Sequence, residues 1–184
     1  MLRSLTIIGV LIAIALPLLD LALFRPGRRA MANARFRHIE RLIYFVFLLA
    51  VLLQALSSFG MILVGEPRMR GWMLILHMSV AGLFAVTLTA LALLWAEQST
   101  FTRADAENRF FVGEKVAFWL TVAVGFATIL SAMLGMMSWF GTAGQMVLLN
   151  VHRYSALILL ICAVFQGYRL LVGRPAAAKT VPSA

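Results

Sequence analysis

The chain has 184 residues, 62% of them hydrophobic and 12% charged, with a net charge of +9. Soluble domains carry roughly 25% charged residues, so this composition excludes an ordinary soluble domain, and the length excludes a large extramembrane one. The single cysteine, Cys162, excludes an intramolecular disulfide and, lying in an apolar run, says nothing of compartment.

Apolar runs long enough to span a bilayer recur along the chain. Segment one covers about residues 5–24. No small-x-small cleavage site directly follows its apolar core, and Pro17 and Asp20 interrupt its end, so the expectation is a retained spanning helix and not a cleaved signal peptide. Arg25, Arg28, Arg29, Arg35, Arg37 and Arg41 follow and anchor that end in the cytoplasm. Segment two covers about 42–64, and Gly65 to Gly71 make a short turn. Segment three covers 72–95, with Trp72 and Trp95 as interfacial anchors. A polar loop at 97–115 leads to segment four, about 116–140, with Trp139 at its far end. Gly141-Thr-Ala-Gly144 reads as a tight turn before segment five, about 146–172, and the tail from Arg174 reads as disordered.

The pattern predicts an all-α integral membrane bundle of five transmembrane helices. Residues 1–34 give an N-terminal helix and basic loop, 35–173 a four-helix membrane domain, and 174–184 a tail. With the N-terminus outside and the C-terminus in the cytoplasm, twelve of the 16 Lys and Arg face the cytoplasm. That satisfies the positive-inside rule, so the basic excess needs no nucleic acid. The lipid membrane is the partner this composition demands.

Polar residues inside the apolar segments are few. His152 and Gln166 lie on segment five, fourteen residues apart. On a helix that spacing is about 40° short of four turns and roughly 21 Å of rise, so both project from one face near opposite sides of a hydrocarbon core of about 30 Å. His77 enters segment three from the same side as His152. His38 falls near the side of Gln166. Each histidine could simply bond a neighbouring helix. Two at matched depth on different helices suit the axial ligation of a b-type haem, with Ser79, Ala81, Gly82, Ser155 and Ala156 giving room. A three-histidine zinc site is the weaker alternative, because His38 lies on the other side. Met133, Met136 and Met137 read as packing residues.

Several stretches carry a resemblance: Arg37-His-Ile-Glu-Arg41, Trp72 to Gly82 with His77, Lys115-Val-Ala-Phe-Trp119, and His152-Arg-Tyr-Ser-Ala156 with Tyr168 following. Over about residues 35–172 the chain resembles the dihaem cytochrome b subunits of membrane formate dehydrogenases, nickel–iron hydrogenases and thiosulfate reductases, the cytochrome b-561-like group. In that family the first helix supplies a cytoplasmic-side histidine, the second an outer one, and the last supplies two. The matching positions here are His38, His77, His152 and Gln166. Glutamine stands where the family has histidine, Leu56-Ser-Ser-Phe-Gly60 replaces a stretch that usually carries Thr-Gly, and segment four reads Ser131-Ala132.

The resemblance implies a b-type cytochrome subunit of a bacterial inner membrane. It would carry electrons between the quinone pool and a partner redox subunit, and would not be a catalyst by itself. His77 and His152 would ligate one haem b, and Arg153 would pair with a haem propionate or a lipid phosphate. His38 and Gln166 would hold a weak second haem or line a quinone pocket. A haem-less membrane anchor or assembly subunit is the alternative. A small transporter is a third reading, supported only by residues such as Gln54 and Gln166. The charge pattern sets a topology test: a reporter fused after Ala184 is expected to read cytoplasm, and one in the 65–71 turn the outside. A cytoplasmic 65–71 turn inverts the orientation.

Overall fold

The computed structural model describes residues 2–23, 37–65, 69–101 and 109–172. Five helices make up the fold: α1 (Leu2–Leu23), α2 (Arg37–Val64), α3 (Trp72–Trp95), α4 (Arg109–Gly135) and α5 (Gly141–Val172), with a 3₁₀ turn at Ser138–Phe140. No strand occurs among the described residues. The arginines at 25–35, the loop at 102–108 and the tail at 173–184, and with them the reading of a disordered tail, lie outside the described residues.

Four of the helices are long and apolar enough to cross a membrane, over His38–Val64, Trp72–Trp95, Lys115–Gly135 and Ser138–Tyr168. In α1 the apolar stretch is Arg3–Leu19, with Pro17 inside it. The limits of α3 coincide with the two tryptophans. Helix α2 starts earlier than its apolar run, at Arg37. Its polar first turn contains Glu40, a favourable charge at a helix N-terminus. The expected turn at Gly141–Gly144 is instead the first turn of α5. The reversal happens just before it, where Met137 is extended and Gly141 takes φ 58, a left-handed value that favours glycine. The Gln145 amide then donates to the Met137 carbonyl and fastens the new helix to the reversal.

α2 pairs with α3 and α4 with α5, while contacts of α2 with α5 and of α3 with α4 close a four-helix ring. α1 lies outside the ring against α5 and touches α2. At one end of the ring are the α2–α3 and α4–α5 connections, here the upper end. At the lower end the chain leaves α3 and enters α4. There Lys115 Nζ donates to the Thr100 carbonyl (2.7 Å) and Trp119 Nε1 to the Ser99 carbonyl (2.9 Å).

Without water, buried hydroxyls need partners inside the protein. They find them one turn back on their own helices: Thr121 on the Ala117 carbonyl, Thr87 on Leu83 and Thr128 on Val124, each at 2.8 Å. Large apolar side chains such as Phe126 (62% exposed) and Leu93 (77%) cover the outside of the bundle. Such a surface suits lipid and would aggregate in water. The α3–α4 contact depends on Gly125, where a Cβ would lie 2.6 Å from a Leu88 methyl. Gly125→Val is expected to destabilise the bundle by about 1–3 kcal/mol through overpacking. Gly60→Val, at a position with nothing within 4 Å, is the control. Adding Leu88→Ala to Gly125→Val should recover part of the loss in thermal unfolding.

Candidate functional site

His77 on α3 and His152 on α5 meet inside the ring. Their imidazole centroids are 6.4 Å apart, with planes inclined by 74°. Each ring is held by its Nδ1. His152 Nδ1 lies 3.0 Å from the Thr128 carbonyl of α4. A carbonyl only accepts, so this Nδ1 carries the proton and Nε2 keeps its lone pair. His77 Nδ1 lies 2.9 Å from Ser57 Oγ of α2. The Ser57 hydroxyl donates to the Gln54 carbonyl at 3.0 Å and is free to accept the Nδ1 proton of His77. Four helices thus contribute one residue each at a single level: Ser57, His77, Thr128 and His152. Behind His152, the Thr128 hydroxyl shares its one proton between the Val124 carbonyl and Ser155 Oγ, each at 2.8 Å, and Ser155 donates to the His152 carbonyl at 3.1 Å.

Both histidines line a cavity of about 720 Å³. Cofactor and small-molecule sites typically occupy roughly 300–1,000 Å³. The wall is mostly apolar, and Ala81, Gly82 and Ala156, small residues beside the histidines in sequence, belong to it. Met133 and Met136 line it too, along with Met61, Met69 and Met78. Thioethers are polarisable and adapt to the edge of a flat ring. Arg153 is half-buried at the wall and gives it a positive charge. Gln54 lines it as well, and its Oε1 is buried with no hydrogen-bond partner, an acceptor left to an occupant.

The ring spacing fits a shared metal. With about 2.0 Å per metal–nitrogen bond and roughly 1.1 Å from nitrogen to ring centre, two imidazoles on opposite sides of one metal would have centroids about 6.2 Å apart. Metal-bound histidines usually donate their second N–H to an oxygen; His152 donates to the Thr128 carbonyl, and Ser57 Oγ is placed to accept from His77. Among the described residues no group of three or more His, Cys, Asp or Glu side chains gathers. The three-histidine zinc arrangement is therefore not assembled among the described residues, and His77 and His152 stand as a pair.

The other two residues expected at a site are placed differently. His38, at the start of α2, is exposed. The Gln166 amide meets Tyr44, whose hydroxyl donates to Gln166 Oε1 at 3.2 Å. Tyr44 lies six residues beyond His38, about 9 Å further along the helix. The expected pairing of His38 with Gln166 gives way to a Tyr44–Gln166 pair because α5 meets α2 deeper in the bundle. Ser57, Thr128 and Gln54 are site residues that the sequence reading did not single out for this role. Only the adjacent pair Ser57-Ser58 at the depth of His77 hinted at one of them.

No family model matches the chain, and neither the curated proteins nor the solved structures contain a match. The site therefore rests on its geometry. Ser57→Ala is expected to change the ¹⁵N imidazole signals of His77 in the cofactor-free chain and to leave those of His152 in place. Ser57→Thr should restore the His77 pattern. Where a metal cofactor binds, loss of such a hydrogen bond typically weakens affinity by roughly 10–100-fold.

Proposed function

We propose that this chain is a membrane-embedded b-type cytochrome subunit that holds one haem b between His77 and His152. The observation that carries the reading is the pair of Nδ1-anchored imidazoles, 6.4 Å between centroids, in one cavity of about 720 Å³. A bound haem would supply one-electron chemistry. The residues do the rest. His77 and His152 offer Nε2 lone pairs. Ser57 and the Thr128 carbonyl fix the tautomers and orient the rings. Arg153 is available to a carboxylate at the cavity wall. The apolar lining keeps water from the ligand nitrogens.

In this reading the subunit lies in the bacterial inner membrane and passes electrons between quinone and a partner redox subunit. Helix α1, whose apolar stretch Arg3–Leu19 is about 26 Å long at 1.5 Å per residue, would add a fifth span with the N-terminus outside. The upper end of the ring then faces outward. The flat ring of a haem accounts for the cavity volume better than a bare ion held by the same two histidines, which would need no such room.

The purified protein is expected to show a low-spin haem b spectrum, with a pyridine haemochrome ratio of about one haem per chain, two ligand nitrogens being the set for one iron. His77→Ala and His152→Ala should each abolish the low-spin bands. His38→Ala, at an exposed position, should leave them. A parent chain with no haem supports the anchor reading instead.

A further inference from the structure

The lower half of the ring is filled where the upper half is hollow. The cavity ends on Val51, Phe84 and Leu159, and these residues belong to the continuous buried core. Below them Phe47, with no exposed surface, stacks on Phe84 at 5.9 Å between ring centroids. Tyr44 leans on Phe47 at 6.1 Å and meets Trp95 edge-on at 6.4 Å. Tyr44 also donates to Gln166 Oε1, which ties α2 to α5 across this level. On the next residue of α5 a Cβ at Gly167 would come within 3.1 Å of a Leu48 methyl, so the Leu48 side chain already packs against the α5 backbone there.

The Gln166 amide carries a further sign of closure. Its Nε2 is buried with no partner. Exchanging the amide nitrogen and oxygen would pair the N–H with the Tyr44 oxygen and leave the other amide atom without a partner. One buried polar atom goes unmatched in either orientation, a cost that the surrounding aromatic packing offsets.

We propose that Tyr44, Phe47, Trp95 and Gln166 form a fixed plug. It limits the chain to one cofactor position and closes the approach to that cofactor from the lower end. The cofactor's identity as haem rests on the reading above; the plug rests on packing. The plug occupies the volume in which a second flat ligand between α2 and α5 would lie. It does so at a level roughly 21 Å from His152 along α5, the rise of fourteen residues. The redox donor and acceptor of this subunit would then meet it at the same membrane face. The chain would be a one-sided relay and not a conductor across the bilayer.

The plug also sets what a single substitution can achieve. Gln166→His restores a ligand type without making room, so its haem-to-protein ratio is expected to equal that of the parent. A second equivalent of haem in Gln166→His overturns the plug. A second comparison needs no cofactor. In haem-free protein, Phe47→Leu should lower the thermal midpoint several-fold more than Phe126→Leu, whose side chain is 62% exposed. Equal shifts would mean that the lower half is loosely filled and would overturn the proposal. If the parent binds no haem at all, the cytochrome reading fails while the Phe47 comparison still judges the plug.

Discussion

In hydrocarbon a polar side chain without a partner costs several kcal/mol, and this fold is arranged around meeting that demand at one level. Two imidazoles sit inside the ring, each tied through Nδ1 to an oxygen on another helix. Helices α2 and α3 are joined by Ser57 and His77, and α4 and α5 by Thr128 and His152. The two helix pairs therefore each carry one ring, and closing the bundle brings the rings to 6.4 Å between centroids. Small residues and methionines surround them, so side chains fill less of the space between the helices and leave a cavity.

The two halves of the ring solve the same packing problem in opposite ways. Above, two histidines and a charged Arg153 occupy the wall of an open space. Below, aromatic rings and a Tyr44–Gln166 hydrogen bond close the centre. Buried aromatic side chains supply large apolar area, and tilted or offset contacts such as those of Tyr44, Phe47 and Phe84 add roughly 0.5–1.5 kcal/mol per pair. That filled half gives the bundle rigidity without any occupant in the cavity. A filled lower half and a hollow upper half together hold the imidazoles in one arrangement; were a ligand to bind them, that preorganisation would lower its cost.

Much of the fold was legible in the sequence because spanning helices obey a strong constraint. The limits of α3 fell on Trp72 and Trp95, and the matched depth of His77 and His152 followed from two segments that enter from the same side. Other features were not legible. Gly141-Thr-Ala-Gly144 reads as a turn, yet a single left-handed glycine suffices to start α5 and the following residues continue as helix. The depth of Gln166 was legible, but its partner was not. Periodicity along one helix says nothing of how far a second is shifted along it, and that shift brings Tyr44 and not His38 to Gln166. The oxygen that holds His152 is a backbone carbonyl, which every residue possesses, so no residue type could announce it. Ser57 was visible only as one of two adjacent serines, and the rotation of α2 decides between them.

The central claim is that His77 and His152 share one iron. Pulsed electron paramagnetic resonance on the oxidised protein, grown with ¹⁵N-histidine, reads the nitrogens bound to that iron directly. Two coordinated histidine nitrogens are expected, with at most one left in His77→Ala and in His152→Ala. A single coordinated histidine, or two that survive either substitution, would contradict the shared site.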